Sequence, residues 1–525
     1  MLSFDLGGSA HFSPFMTFID QCKASLWVRW SITALFITIF ISLMWSKLQN
    51  SRYKLPPGPK GIPFLGCLPK MGPRVHRSFA EMAKIHGPII SVRLGSKLNI
   101  VVSTAKLAEE VLKAQDHVLA SRPLPVLAEH MFSVERQSLV WATLGPTWRN
   151  ARKLCTVELL SPHRLKSYYR IRKEETCRMI CALEASQNDG QKQVLIRNYL
   201  FAATINNMTG MVFGKRYNLD SSTGCLAPQG HEFKDLISET LRLGSVFNIS
   251  DFIPSLRWLD FQGYEKTLRG FRRRMDVLTN EIMSEHMNGE PLKVEEDFLD
   301  IVLRLKDNYQ LNDKIIGNLI WDMVGAGSET TVSAVEWTMA ELLLHPEKMK
   351  KAQEEIDAVA GLTERAVEED DLEKLQYVQW AFKESLRLHP PSAMLFPHLS
   401  ITNCKIAGYD IPPNTAVHIN AWAIARDPTC WPEADRFMPE RYEIEDVDVR
   451  GTDFRLLPFG SGRRGCPGSR LAMINGLLLL TNLLHKFTWA LPAGVTHSGV
   501  DMQEASGVVQ CMNSALVAEI SKRIP

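Results

Sequence analysis

One cysteine in this chain sits where a thiolate would be stable. In Phe459-Gly-Ser-Gly-Arg-Arg-Gly-Cys-Pro-Gly468, Cys466 shares a loop with four glycines and two arginines, just before an apolar run from Arg470 to Leu484 that reads as a helix. Neighbouring cations and a helix N-terminus both lower a thiol pKa. Glycines let a large flat group approach the backbone, and free amides can hydrogen-bond the sulfur. Those are the requirements of an axial haem ligand. A lone cysteine is otherwise most often an inert buried hydrophobe, and it is the loop around Cys466 that argues against that reading. Gly460-Ser-Gly-Arg-Arg-Gly465 also fits the G-x-G-x-x-G turn of dinucleotide sites. It lacks the acidic residue about 20 positions on, Asp501 being the first after Gly465, and about 60 remaining residues are too few for a doubly wound sheet.

Phe459, Gly462, Arg464, Cys466 and Gly468 together spell F-x-x-G-x-R-x-C-x-G, and on this motif the chain resembles the cytochrome P450 family. Further matches follow in the family's order. Ala326-Gly-Ser-Glu-Thr-Thr331 is similar to the oxygen-activation segment of the long central helix. Glu384-Ser-Leu-Arg387 is similar to the E-x-x-R element, Pro439-Glu-Arg-Tyr442 to its later partner, and Trp148 with Arg152 to the W-x-x-x-R haem-propionate contact. The resemblance runs over essentially the whole chain. It implies a mainly α fold with minor β, haem b held by Cys466, and propionates bound by Trp148, Arg152 and Arg464. It implies a buried triad of Glu384, Arg387 and Arg441, and Glu329 and Thr330 relaying protons to bound oxygen.

The chain carries no flavin or nicotinamide motif, so the resemblance also implies electrons from an NADPH-dependent diflavin reductase. Arg149, Lys153 and Arg463 are candidates for the surface that meets it. E-x-x-R alone says little, because it recurs at Glu175/Arg178, Glu239/Arg242 and Glu433/Arg436, where a solvated i,i+3 pair is the plain expectation. Only Glu384 precedes His389-Pro-Pro391 and has Arg441 following at family spacing. Gly325 and Gly327 are expected to let the helix pass close over a flat cofactor. A haem-thiolate isomerase or dehydratase, or a haem sensor, would keep Cys466 without needing Glu329-Thr330-Thr331.

For substrate, the family places contacts in Pro123 to Trp141, Ala202 to Met211, Ile320 to Gly327, Ser392 to Pro397 and Val508 to Met512, all largely apolar. Gly87-Pro-Ile-Ile-Ser-Val92, Val335-Glu-Trp337 and Glu445 to Phe459 resemble land-plant enzymes that 3-hydroxylate p-coumaroyl esters, phenylpropanoid metabolites. Flavonoid hydroxylases look similar, and a terpenoid would also suit an apolar pocket. Two departures stand out: Ser328-Glu329 where the ester hydroxylases usually carry Met-Asp, and Tyr442 in place of the commoner Phe.

These residues have to be positioned by a chain of 525 residues, 45% hydrophobic and 22% charged, with a net charge of +2. That balance excludes a disordered chain and gives no electrostatic footprint for nucleic acid. Ten scattered cysteines do not make a disulfide framework and suit a reducing compartment. Helical periodicity is expected around 77–86, 104–113, 146–159, 162–186, 232–243, 264–287, 312–344 and 347–359, and strands at 88–94, 99–103 and 416–421. Breaker-rich connections fall at 220–230, 288–296 and 361–371. Residues 26–48 contain the uncharged stretch Trp30 to Trp45 and read as a membrane anchor with aromatic ends. Basic residues are more frequent after it than before, so 1–25 is expected in the lumen of the endoplasmic reticulum and the rest in the cytosol. Residues 49–61, with Leu55-Pro-Pro-Gly-Pro-Lys-Gly61, form a stiff hinge, and 62–525 is one catalytic domain. The sequons at Asn207 and Asn248 are expected to stay unglycosylated under this topology.

Overall fold

The longest helix follows from its cap and its composition. Asn312 accepts a hydrogen bond from the Ile315 amide at 2.9 Å, starting a helix at Asp313 that runs to Leu344 and stops before Pro346. Its residues are apolar nearly all round, the pattern of a helix buried on every side. The computed structural model describes residues 30, 33, 52–132, 137–190, 192–218, 226, 228–244, 246–288 and 296–523.

In chain order the longer helices are α1 (Val75–His86), α2 (Pro146–Leu154), α3 (Tyr169–Asn188), α4 (Ile196–Phe213), α5 (Pro228–Leu243) and α6 (Tyr264–Asn288). They continue with α7 (Asp313–Leu344), α8 (Pro346–Ala360), α9 (Gln376–Leu388) and α10 (Ser469–Lys486). α4, α9 and α10 pack along α7, and the main apolar core lies between them. Gly476 permits the close approach of α10 to α9, since a Cβ there would stand 2.4 Å from the Phe382 ring.

The strands are β1 (Ile89–Leu94), β2 (Lys97–Val102), β3 (Gln193–Leu195), β4 (His398–Leu399), β5 (Cys404–Ile406), β6 (Tyr409–Ile411), β7 (Ala416–Ile419), β8 (Phe487–Ala490) and β9 (Val517–Lys522). The first sheet has the order β1-β2-β7-β4, with β2 parallel to β7 and the other pairs antiparallel. β3-β9-β8 and β5-β6 complete the set. The architecture is mainly α with minor β.

Several expected boundaries move. The helix expected over 146–159 stops at Leu154 and widens into a π-type turn closed by the Leu160 amide on Cys155 O at 2.9 Å. The one expected over 104–113 becomes a short helix, Ala105–Glu109, and a second wide turn. The stretch 162–186 breaks at Tyr168 into Pro162–Ser167 and α3. α4 lies in a segment with no expected helix. It is buried on all sides, so it shows no amphipathic period to read.

Among the described residues no helix is long and apolar enough to cross a membrane. The expected anchor at 26–48, apart from Trp30 and Thr33, and the expected lumenal segment 1–25 lie outside them. Most of the connections expected at 220–230 and 288–296 lies outside them as well. The proline segment lies along β1: Ser91 donates its amide to Pro57 O at 2.9 Å and its hydroxyl to Pro56 O at 2.7 Å. The glycosylation test of topology fails for a structural reason. Asn207 is buried in α4, and Asn248 is buried while accepting from the Ser250 amide at 3.2 Å. Neither side chain is available on either side of a membrane.

α1 is tied to the C-terminal segment by Glu504, which is 4% exposed. Arg77 grips its carboxylate with two bonds of 3.0 and 2.9 Å, and His76 Nε2 stands 3.7 Å away. Burial alone would raise the Glu504 pKa; His76 and Arg77 outweigh it and bring it down to about 2. A depressed carboxylate stabilises the fold above its ordinary range near 4.5 and loses that contribution as pH falls toward 2. Glu504→Gln is therefore expected to lower stability by about 3 kcal/mol at neutral pH, with the difference from wild type shrinking between pH 4.5 and 2 in thermal melts.

Candidate active site

The cysteine loop is closed on itself and against a distant segment. The Cys466 amide donates to Phe459 O at 2.8 Å, and the Gly465 amide to Gly462 O at 3.1 Å. Gly462 has φ +70°, and a Cβ there would stand 2.2 Å from Leu112 O, so only glycine fits. The Arg463 amide donates to Asp116 at 3.1 Å. These contacts leave the Cys466 sulfur facing a cavity, with Gly468 beside it and α10 starting at Ser469. Burial pushes the Cys466 thiol up from its ordinary value, against the pull of the Gly468 amide and Arg152. The cation that faces the sulfur, Arg152, comes from α2.

Phe459, Gly468, Trp148, Arg152 and Arg464 all line this cavity, and so do Arg122 and His398, which sequence reasoning missed. Arg464 donates to Ala120 O at 2.7 Å, Leu139 O at 3.3 Å and Ala142 O. Its guanidinium lies 4.2 Å from the Trp148 ring centroid. The Trp148 indole N–H is committed to Leu139 O at 3.1 Å, so this side chain supports Arg464 and does not aim a donor into the cavity. Arg122 donates to Phe396 O and Pro397 O at 2.6 and 2.8 Å.

Burial pulls Arg122 and Arg464 down to about 9 and also lowers Arg152. Among the described residues Arg152 and Arg464 form no ion pair. Burial and the two arginines Arg122 and Arg464 hold His398 well below its ordinary value, hence neutral, with Nδ1 3.1 Å from Leu119 O. The lining acid is Asp322, pushed up to about 7 by burial and held by the Leu139 amide at 2.6 Å and Ser138. A sulfur in the wall and the Arg152 and Arg464 guanidinium groups beside it fit a flat, dianionic metal cofactor.

Across the cavity runs α7. Thr330 lines it and donates its hydroxyl to Ala326 O at 2.6 Å. Glu329 is turned elsewhere: its Oε1 accepts from the Ser238 hydroxyl at 2.7 Å, and its Oε2 lies 4.0 Å from Cys511 Sγ. Gly327 makes room for a neighbouring helix as well as for the cavity, since a Cβ there would stand 2.6 Å from Met208 Sδ. A Cβ at Gly325 would meet nothing within 4 Å. Of the five expected substrate segments, 202–211 reaches the lining only through Met208.

The structure brings Glu384, Arg387 and Arg441 together. Arg387 grips Glu384 with two bonds of 2.8 Å, Arg441 Nε donates to the same carboxylate at 2.9 Å, and the Met438 amide adds a bond at 3.0 Å. Arg387 also donates to Ala425 O at 2.7 Å and Ala434 O at 2.6 Å. Glu239/Arg242 and Glu433/Arg436 are surface pairs as expected. Glu175 is not: it is buried and bridges Arg178 and Arg216.

This fold around a cysteine-walled cavity with a cationic edge is that of a haem-thiolate protein. The cytochrome P450 family profile matches residues 56–514, and the chain belongs to that family; it is a monooxygenase working with haem b, O2 and a partner that supplies electrons. It is 42% identical over 503 residues to cytochrome P450 98A2 of Glycine max, covering 94% of this chain and 98% of the relative. It is 37% identical over 505 residues to a flavonoid 3'-monooxygenase of Petunia hybrida, covering 93% and 97%. A zebrafish cytochrome P450 solved with abiraterone superposes with a TM-score of 0.72 at 25% identity, covering 86% of this chain and 100% of that one.

Removing Glu384 strands the buried Arg387 guanidinium and takes the carboxylate partner from the partly covered Arg441. Glu384→Gln is expected to destabilise the fold by about 3–5 kcal/mol and to lower the haem-to-protein ratio, whereas Glu239→Gln leaves both unchanged. Denaturant titration and pyridine-haemochrome analysis check this.

Proposed function

We propose that this monooxygenase hydroxylates the aromatic ring of a p-coumaroyl ester at position 3. The observation that carries the reading is a second cavity of about 830 Å³ that shares Ser392, Leu395 and Phe396 with the wall of the Cys466 cavity. Trp141 and Phe396 meet edge to face at 5.4 Å beside it. Such a passage suits a flat ring with a bulkier ester part left behind in the larger space. The resemblance at 87–92, 335–337 and 445–459 to the ester hydroxylases favours this substrate. The Petunia relative supports a flavonoid as the second reading.

In this reading Cys466 is the axial ligand, Gly462, Phe459 and Gly468 shape its loop, and Arg152, Arg464 and Arg122 receive the propionates. Thiolate-bound haem supplies O–O bond cleavage. Thr330 orders protons on the distal side, with Glu329 behind it. Glu384, Arg387 and Arg441 hold the segment that leads into the cysteine loop.

Electrons come from an NADPH-dependent diflavin reductase docking on exposed Arg149, Lys153 and Arg463. Residues 26–48 anchor the chain once through the endoplasmic reticulum membrane, 1–25 in the lumen, 49–61 as the hinge and 62–525 in the cytosol. Exposed Ile62, Phe64, Leu65, Phe247, Trp258 and Phe261 support contact with lipid. Leu65 and Phe252 both bond the Gly95–Ser96 turn, and Phe247 stacks on Phe252, so this apolar surface continues from the hinge.

Microsomes containing the protein, reduced under carbon monoxide, are expected to show a Soret band far to the red of ordinary CO-haem, lost in Cys466→Ala. With reductase and NADPH, a p-coumaroyl ester is expected to gain one oxygen at position 3. A normal imidazole-type band would overturn the thiolate assignment, and turnover of flavonoids alone would replace the ester.

A further inference from the structure

Glu329 neighbours Thr330, yet its carboxylate is held by two segments that have no part in the cysteine loop. Ser238 sits midway along α5 and donates to Oε1 at 2.7 Å. Cys511 lies on the other side, 4.0 Å from Oε2. Burial and the Glu329 charge push the Cys511 thiol up to about 12, so it stays a donor. α5 lies against α7 elsewhere too, Phe233 stacking on Trp321 with centroids 5.1 Å apart. The same two segments wall the larger cavity, through Gly244 and Val246 after α5 and through Val508 and Gln510 before Cys511. They also touch: a Cβ on Gly244 would stand 2.7 Å from Val508 Cγ2. A ligand in that cavity would touch residues that follow Ser238 and precede Cys511 in the chain.

We infer that Ser238 is a positioning residue for proton delivery, fixing the Glu329 carboxylate relative to Thr330 and linking its orientation to the occupancy of the substrate cavity. The inference rests on Glu329 serving as a proton relay. With RH the substrate, the coupled reaction is RH + O2 + NADPH + H⁺ → ROH + H2O + NADP⁺, and the abortive one is O2 + NADPH + H⁺ → H2O2 + NADP⁺. Both spend the same two electrons of NADPH. They divide on whether both protons reach the same oxygen atom, which leaves as water, or are shared between the two oxygens of peroxide. A carboxylate that has lost its support delivers protons less selectively, so the division shifts toward peroxide.

The test uses full-length protein with reductase, wild type against Ser238→Ala, Ser238→Thr and Glu329→Gln. Ser238→Ala is expected to raise the peroxide share of consumed NADPH several-fold while KM stays within about twofold, and Ser238→Thr, which keeps the hydroxyl, to restore coupling. A readout independent of turnover is hydrogen exchange of the α5 amides. Ser238→Ala and Glu329→Ala should each speed it, and the double variant should add nothing, because both remove one shared bond. If Glu329→Gln uncouples the enzyme and Ser238→Ala does not, the role of Ser238 is overturned and the relay stands. If Glu329→Gln itself couples normally, the relay and the inference fall together.

Discussion

Guanidinium charge held against a low-dielectric cavity is the constraint on which the rest of this structure depends. Arg464, Arg122 and Arg152 cannot readily shed their protons, and burial lowers all three. Two of them are kept in place by backbone carbonyls: Ala120, Leu139 and Ala142 for Arg464, Phe396 and Pro397 for Arg122. Each carbonyl must be aimed, which fixes the strands and loops that bear it. Leu139 illustrates how far this extends. Asp322 of α7 holds its amide, and its carbonyl receives both Trp148 of α2 and Arg464 of the cysteine loop. The distal helix, the propionate helix and the thiolate loop are thus registered through the backbone of one residue.

The Glu384 cluster handles buried charge in the opposite way. There the guanidinium groups are closed off by a carboxylate and by carbonyls at Ala425, Ala434 and Arg436, and Trp431 covers Arg387 at 5.2 Å. A satisfied buried network adds little net stability over an apolar core but permits few alternative arrangements. It pins the irregular segment 425–441 to α9. Arg152 and Arg464, by contrast, form no ion pair among the described residues and face the cavity.

Much of this was legible in the residues themselves. The cysteine loop announces its chemistry because glycine, cation and thiol occur together within ten positions. α7 and α10 are long, apolar and capped or bounded by clear signals. α4 was hidden because it is buried all round, and periodicity needs a polar face. Arg122 and His398 were invisible because each is a single residue in a short extended segment, brought to the cavity only by the tertiary fold. The orientation of Glu329 depends on Ser238, 91 residues earlier, so local sequence carries no trace of it. The arginines beside Cys466 in sequence point elsewhere, Arg463 to Asp116 and Arg464 to three carbonyls, and it is Arg152 of α2 that faces the sulfur. Glu175 defeated a rule about surface pairs because Arg216, from another segment, covers it.

The pairing of β2 with β7 has a consequence for how the molecule is made. Asn99 lies opposite Ala416 and Val102 opposite Ile419 in a parallel ladder, and Arg464 reaches Ala120 across 344 residues. On a ribosome, the edge of β2 and the carbonyls of 120–142 emerge long before anything exists to meet them. The cofactor pocket consequently cannot close until nearly the whole chain has been translated. Loading with haem is then a late event in biogenesis, and the nascent N-terminal third must be shielded from wrong partners in the meantime.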